Sequence, residues 1–258
     1  TLFRSPGAMV DLPNQSVLIG GLESWMGDKE RIFEDRLEGW LKERLHAPEL
    51  KLFAPPVETG DSNAARSGIA VHQYPAWFLG QVDETFEAPD GRVYRTRPLI
   101  PWDRLVKGGY LDADRKVRPV VPVRFVQACV RGHISDIDWY AFVRKDFNAD
   151  KTGELWFDEG GAGNDFTEIY VRDLKTGARR PLSDATAGKV LGGCNGRKPW
   201  LGPRIWEKCD KPNRLLTRSA SNAYFAQKVG VISIPDANES LKEAVDRVWE
   251  DFPLFAGI

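Results

Sequence analysis

Three cysteines and one histidine are the residues of this sequence best suited to binding a metal ion. Cys129 and His133 are separated by three residues, and Cys194 and Cys209 flank a stretch rich in glycine and proline. Three thiolates and one imidazole complete a tetrahedral shell for zinc, so these residues predict a structural zinc site. The spacing differs from a standard pair of zinc knuckles, and buried free thiols with a turn histidine are the alternative interpretation.

A second cluster consists of carboxylates around residues 158–168. Residues 155–159 resemble an apolar strand that ends in an acidic pair, the arrangement that holds magnesium in nucleotide hydrolases. That arrangement works only beside a phosphate-binding GxxxxGK(S/T) loop, which the sequence lacks. We therefore expect no catalytic residue and no ATP hydrolysis by the chain itself. The alternative is a metal-dependent nuclease or other hydrolase, if its carboxylates converge in space. They are Asp158, Glu159, Asp165 and Glu168.

Residues 172–218 are basic, although the formal net charge of the whole chain is −1. The stretch holds twelve Lys and Arg residues against four Asp and Glu. Cations neutralise phosphates, and an exposed tryptophan such as Trp200 or Trp206 can stack on an unpaired base. The segment is a candidate DNA-binding surface, with an ordinary solvated surface as the alternative. Its proposed contact residues are Arg197, Lys198, Trp200, Arg204, Lys208, Arg214 and Arg218.

The composition excludes several classes of protein. Apolar residues make up 42% of the 258 residues, and nine are tryptophan, which excludes wholesale disorder. Three cysteines do not suit a disulfide-rich secreted scaffold. No apolar run approaches the ~18 residues of a membrane-spanning helix. We expect a cytoplasmic protein that does not associate with a membrane.

Hydrophobic periodicity predicts an α+β fold that is strand-rich, with many Pro/Gly loops and amphipathic helices near both ends. The first helix is predicted over residues 28–45 with Asp28 as its N-cap, and the last helix from about Ser240. Ser135 and Asp138 resemble a capping box, which predicts a short helix after them.

The predicted strands are short and separated by turn residues. Between residues 71 and 130 six prolines interrupt the apolar runs, which predicts edge strands and loops rather than a regular sheet. The chain 1–258 is interpreted as a single α+β region with a basic sub-region at 172–218. The strands are predicted at residues 17–19, 154–158, 167–172, 215–216 and 229–234.

Five segments taken together resemble a known family. In their order along the chain they span nearly all of it and are similar to the DrmB family, the non-helicase subunit of the bacterial DISARM anti-phage defence system. None of the five is a general chemical motif, so the resemblance depends on their joint occurrence. They are SPGAMVDLP (5–13), VHQYPAWF (71–78), PVRFVQACVRGHISDIDW (122–139), GRKPWLG (196–202) and SASNAYFAQKVGVISIP (219–235).

The resemblance implies a DrmA-like helicase partner and a non-catalytic accessory role in recognising or engaging foreign DNA, single- or double-stranded. It agrees with the missing phosphate-binding loop. Members of the family have further cysteines after the strand that corresponds to 167–172, which this sequence lacks, and they continue into a cysteine-rich, zinc-binding C-terminal region. We therefore expect the N-terminal portion of a longer DrmB-like subunit. A scaffold that binds only its protein partner is a further alternative.

Overall fold

The computed structural model describes residues 5–12, 15–56, 68–82, 84–161, 165–202, 204–218 and 229–232. The chain divides into two compact units, Thr1–Asp28 with Pro56–Ala226 and Lys29–Pro55 with Gln227–Ile258. The helices are α1 (Asp35–Leu45) and α2 (Trp139–Arg144). The strands are β1 (Met9–Leu12), β2 (Gln15–Ile19), β3 (Arg31–Ile32), β4 (Leu52–Phe53), β5 (Val71–Gln73), β6 (Trp77–Gly80), β7 (Glu84–Glu87), β8 (Val93–Pro101), β9 (Tyr110–Leu111), β10 (Val117–Arg118), β11 (Val120–Pro122), β12 (Phe125–Ala128), β13 (Ile134–Ser135), β14 (Leu155–Glu159), β15 (Ile169–Asp173), β16 (Arg179–Pro181) and β17 (Arg214–Thr217).

The larger unit is built on a seven-stranded antiparallel sheet. Its strands follow the order β11-β6-β8-β14-β15-β16, and β7 also pairs with β8. Two three-stranded sheets, β1-β2-β5 and β13-β12-β17, and the pair β9-β10 complete the described strands of this unit. The strand-rich character expected from the sequence is confirmed, and four of the five predicted strands correspond to β2, β14, β15 and β17.

The prediction that residues 71–130 form edge strands and loops is wrong for β8. This strand lies inside the large sheet, where it pairs with β14 on one edge and with β6 and β7 on the other. Along that second edge, β7 pairs with β8 as far as Thr96, and β6 pairs with β8 from Leu99 onward. Pro98 therefore lies in the gap between the two partner strands. A proline without an N–H is tolerated at such a gap in the ladder.

Helix α2 closes the main core over the large sheet. Trp139 is fully buried and makes edge-to-face contacts with Phe142 and with Phe157 of β14. The Asp138 carboxylate caps the helix by accepting a hydrogen bond from the Ala141 N–H at 3.1 Å. The predicted short helix is therefore confirmed, but Ser135 belongs to β13 and does not cap it.

The prediction of amphipathic helices near both ends is not supported. In the smaller unit, α1 begins at Asp35 instead of Asp28, because Arg31–Ile32 pairs with Leu52–Phe53 as a two-stranded sheet. The one buried residue of α1 is Glu38, whereas Trp40 and Leu45 are 44% and 58% exposed.

The predictions near the C-terminus fall mostly on residues that the structure does not describe. Residues 229–232 have no strand geometry, so that part of the predicted strand at 229–234 is wrong, and the remaining two positions lie outside the described residues. The helix predicted from Ser240 also lies outside them. No helix among the described residues has the length and apolar character needed to cross a bilayer.

Candidate metal centre

The structure brings Cys129, His133, Cys194 and Cys209 together at one point of the larger unit. Cys129 directly follows β12 and His133 directly precedes β13, so the hairpin between these strands presents both side chains. The Cys129 N–H donates to the His133 carbonyl at 3.0 Å, and Gly132 completes the turn with a φ of 83°. Such a positive φ is readily adopted by glycine, which explains why this turn closes tightly.

The ligand atoms lie close to the spacing of a tetrahedral shell. His133 Nδ1 lies 3.3 Å from Cys129 Sγ and 3.5 Å from Cys194 Sγ. Cys129 Sγ lies 3.9 Å from Cys209 Sγ, and all four ligand atoms lie within 4.8 Å of one another. Ligands at the usual Zn–S and Zn–N distances of a tetrahedral ion are about 3.5 to 3.8 Å apart. The four side chains can therefore hold a metal ion.

Backbone amides support two of the sulfur atoms. The Arg131 N–H donates to Cys129 Sγ at 3.3 Å, and the Gly196 N–H donates to Cys194 Sγ at 3.2 Å. Although burial acts to raise it, the pKa of Cys129 is lowered, because the amides of Arg131 and His133 favour its thiolate. Burial raises the pKa of Cys194 to about 12. A bound cation would offset this cost by stabilising adjacent thiolates.

A carboxylate that the sequence reasoning missed completes the surroundings of the histidine. Glu207 Oε1 lies 2.6 Å from His133 Nε2, the ring nitrogen that faces away from the sulfur atoms. Glu207 Oε2 accepts a hydrogen bond from Lys198 Nζ. These contacts lower the pKa of Glu207, and the hydrogen bond with Lys198 contributes more than the one with His133. The sequence signal for Glu207 was its position two residues before Cys209, because residues i and i+2 of an extended chain point to the same side.

Two of the cysteines bound a loop of residues 194–209, which we call the cysteine loop. Its two arms run antiparallel, with an isolated bridge between Arg197 and Trp206. The Glu207 N–H donates to the Gly196 carbonyl at 3.0 Å, and the Lys198 N–H donates to the Ile205 carbonyl at 3.1 Å. A Cβ atom at Gly196 would lie 1.6 Å from the Glu207 carbonyl oxygen. Only glycine allows the arms to approach this closely.

The residues proposed to contact DNA separate into two groups. Lys198 is paired with Glu207, and Arg218 donates to the Val123 carbonyl, Ser16 Oγ and Asp11. Trp200 is half-buried and packs against the cluster that contains Leu18 and Val126. The other members are exposed and form no salt bridge within the described part of the chain. They are Arg197, Arg204, Lys208 and Arg214.

Trp206, the second tryptophan considered from the sequence, is 69% exposed on the cysteine loop. By contrast, the basic residues at the start of the stretch belong to the large sheet. Arg172 and Arg179 bind Asp158, and Arg180 binds Asp184 and the Phe142 carbonyl. Among the described residues, the exposed cations of this stretch that form no salt bridge are therefore concentrated on and beside the cysteine loop.

Three of the four carboxylates proposed around residues 158–168 have structural contacts, and the fourth, Glu168, forms no salt bridge among the described residues. Asp158 is completely buried and binds Thr96, Arg172 and Arg179. Glu159 pairs with Arg97, and Asp165 caps the following turn at Thr167. Within the described ranges, these carboxylates form no group of three or more that could hold a metal ion.

Comparisons with known proteins give a family and a relative. A family model described as a domain of unknown function, DUF8724, matches residues 2–225. The DISARM protein DrmB of Bacillus paralicheniformis is 28% identical over 142 residues, which is 52% of this chain and 24% of that protein. The chain thus spans about a quarter of the length of this relative, and the expected DrmB-like relationship is supported over about half of the chain. Because the family model covers most of its length, the chain belongs to the DUF8724 family.

Proposed function

We propose that this chain is an accessory part of a DrmB-like protein in a DISARM defence system, and that a zinc-supported loop lets it contact DNA. The observation that carries the proposal is the position of four metal ligands at the base of a loop with exposed cations that form no salt bridge among the described residues. The similarity to a DISARM protein supplies the biological setting.

The proposed metal is a structural zinc ion. Cys129, His133, Cys194 and Cys209 supply four ligands, which completes a tetrahedral shell and leaves no position for a catalytic water. Soft thiolates select zinc over magnesium or calcium, which prefer oxygen ligands. The ion would tie the β12–β13 hairpin to both arms of the cysteine loop and so hold the loop in one conformation.

The proposed DNA-contacting surface is the outer side of the cysteine loop. Glu207 and Cys209 face the metal centre, whereas Trp206 and Lys208, which alternate with them along the chain, are exposed, and Arg204 is exposed in the turn between the two arms. These three residues are exposed, and Arg197 is the bridge partner of Trp206. A tryptophan between cations suits a nucleic-acid chain, in which bases alternate with phosphates.

A helicase partner would supply the ATP-dependent step in this proposal. The sequence has no GxxxxGK(S/T) loop for binding the phosphates of ATP. The chain would therefore act by holding DNA for a DrmA-like helicase, and it would have no enzymatic activity of its own. Co-purification of such a helicase with the tagged native protein would support this part of the proposal.

Reversing three exposed cations of the cysteine loop is expected to abolish most DNA binding. The variant carries Arg197→Glu, Arg204→Glu and Lys208→Glu. Each lost phosphate contact lowers affinity roughly fivefold at about 0.15 M salt, so three contacts amount to about a hundredfold. The slope of log affinity against log salt is expected to fall by about 2 to 3. Fluorescence anisotropy with labelled DNA over a range of salt concentrations measures both quantities.

A matched control reverses three exposed cations elsewhere on the larger unit that likewise form no salt bridge among the described residues, Lys107, Arg115 and Lys145. It changes the net charge by the same amount and is expected to retain most of the affinity and the salt slope. If the two variants bind DNA equally well, the cysteine loop is not the DNA-binding surface. Loss of helicase co-purification in the loop variant alone, with unchanged DNA affinity, would favour the scaffold alternative.

Trp206→Ala is expected to weaken binding of single strands by ~1 to 3 kcal/mol and to affect duplex binding little, because only unpaired bases can stack on the indole. Trp200→Ala provides the contrast. Trp200 packs against the core cluster that contains Leu18 and Val126, so its loss is expected to lower the melting temperature. Anisotropy on both DNA forms, together with melting curves, distinguishes the two effects. Equal losses of single-strand and duplex affinity in Trp206→Ala would contradict stacking.

A further inference from the structure

We infer that Glu207 is the positioning residue of the metal centre and acts through the His133 ring. This inference rests on the zinc site of the proposed function and adds a residue to it. The buried imidazole of His133 turns Nδ1 toward two sulfur atoms and Nε2 toward Glu207 Oε1. When Nε2–H donates to the carboxylate, Nδ1 keeps the lone pair that a metal ion requires.

The geometry distinguishes Glu207 from an ordinary surface carboxylate. Its side chain is 48% exposed, yet both oxygens are engaged, one by His133 and the other by Lys198. The backbone of Glu207 is also fixed, because its N–H donates to the Gly196 carbonyl and its own carbonyl lies against the Gly196 Cα. The carboxylate is therefore held in place before any metal binds.

The same contacts link the metal centre to the DNA-contacting surface. Lys198 and Glu207 lie on opposite arms of the cysteine loop, and between them the loop contains the Arg197–Trp206 bridge. His133 lies on the β12–β13 hairpin. A chain of hydrogen bonds thus joins the hairpin, through Glu207, to both arms of the loop. The same carboxylate therefore orients His133 and connects the two arms.

Metal competition tests this role directly. Glu207→Ala is expected to weaken Zn²⁺ binding about 10- to 100-fold against a chromophoric chelator, the usual cost of losing such a partner. Its Co²⁺ form is expected to show altered ligand-field bands, because the imidazole is no longer held. Glu207→Gln, whose amide oxygen still accepts from Nε2–H, is expected to restore most of the affinity. Asp210→Ala, the matched control beside Cys209, removes a carboxylate that pairs with Arg131 and Lys211 and is expected to leave affinity unchanged.

A change of ligand separates positioning from a merely structural role. In a His133→Cys background the fourth ligand has no N–H to donate, so adding Glu207→Ala should leave metal affinity unchanged. Equal losses in both backgrounds would overturn the inference, and so would wild-type affinity in Glu207→Ala alone. If Glu207→Ala does not fold, Glu207→Leu, which keeps the bulk but offers no acceptor to Nε2–H, is measured instead, and wild-type affinity in that variant overturns the inference.

The failure of the proposed function gives a different result. A wild-type protein that binds neither Zn²⁺ nor Co²⁺ would remove the metal site itself and, with it, the role of Glu207. A wild-type protein that binds metal tightly, combined with unaltered affinity in Glu207→Ala, would leave the zinc site standing and overturn only the inference about Glu207.

Discussion

Cys194→Ala is expected to lower the free energy of unfolding by about 5 kcal/mol and to remove bound zinc, because structural zinc binding is coupled directly to folding. Hydrogen bonds between its arms shape the cysteine loop, and the proposed ion would join its base to the β12–β13 hairpin. At its base, the Cys194 N–H donates to the Lys211 carbonyl, and Asn213 donates to the carbonyls of Leu191 and Gly193. Urea unfolding and elemental analysis of protein purified without chelators measure the two effects.

Asp210→Ala serves as the control for this prediction, since it alters the residue next to Cys209 without removing a ligand. Its stability and zinc content are expected to match those of the wild type. The prediction fails if the wild-type protein contains less than about a tenth of an equivalent of zinc. It also fails if Cys194→Ala unfolds at the wild-type urea concentration.

The metal ligands could be proposed from the sequence, because cysteine and histidine are few in this chain and chemically distinctive. Three cysteines and three histidines leave a small number of combinations, and Cys129 and His133 are near neighbours. Their convergence with Cys194 and Cys209 could not be derived in the same way. It depends on β12 pairing with both β13 and β17, and long-range strand pairing leaves little trace in a single sequence.

Glu207 and the exposed cations of the cysteine loop illustrate what the sequence could not distinguish. The chain has 37 acidic and 36 basic residues, and their roles depend on neighbours that only the fold supplies. Lys198 and Arg197 are adjacent in the sequence, yet one is paired with Glu207 and the other is exposed without an ion pair among the described residues. The same applies to Trp200 and Trp206, of which only the second is exposed.

Asp158→Ala is expected to lower the free energy of unfolding by about 3 to 5 kcal/mol, because removing one partner of a buried ion pair leaves the opposite charge uncompensated. The Asp158 carboxylate accepts hydrogen bonds from Thr96 at 2.6 Å, from Arg172 at 3.1 Å and from Arg179 at 3.2 Å. The side chains of Arg172 and Arg179 are only 14% and 20% exposed, so water cannot replace the lost partner fully. Urea unfolding of the purified variant provides the measurement.

Two further variants define the cause of that loss. Glu154→Ala removes an exposed carboxylate one residue before β14 and is expected to change stability by no more than about 0.5 kcal/mol. Asp158→Asn keeps the shape but turns an amide toward the guanidinium groups, so its stability should lie between those of the wild type and Asp158→Ala. A catalytic carboxylate would give the opposite pattern, a stable Asp158→Ala protein that has lost metal-dependent cleavage of DNA. Wild-type stability in Asp158→Ala would therefore contradict the structural role and return Asp158 to consideration as an active-site residue.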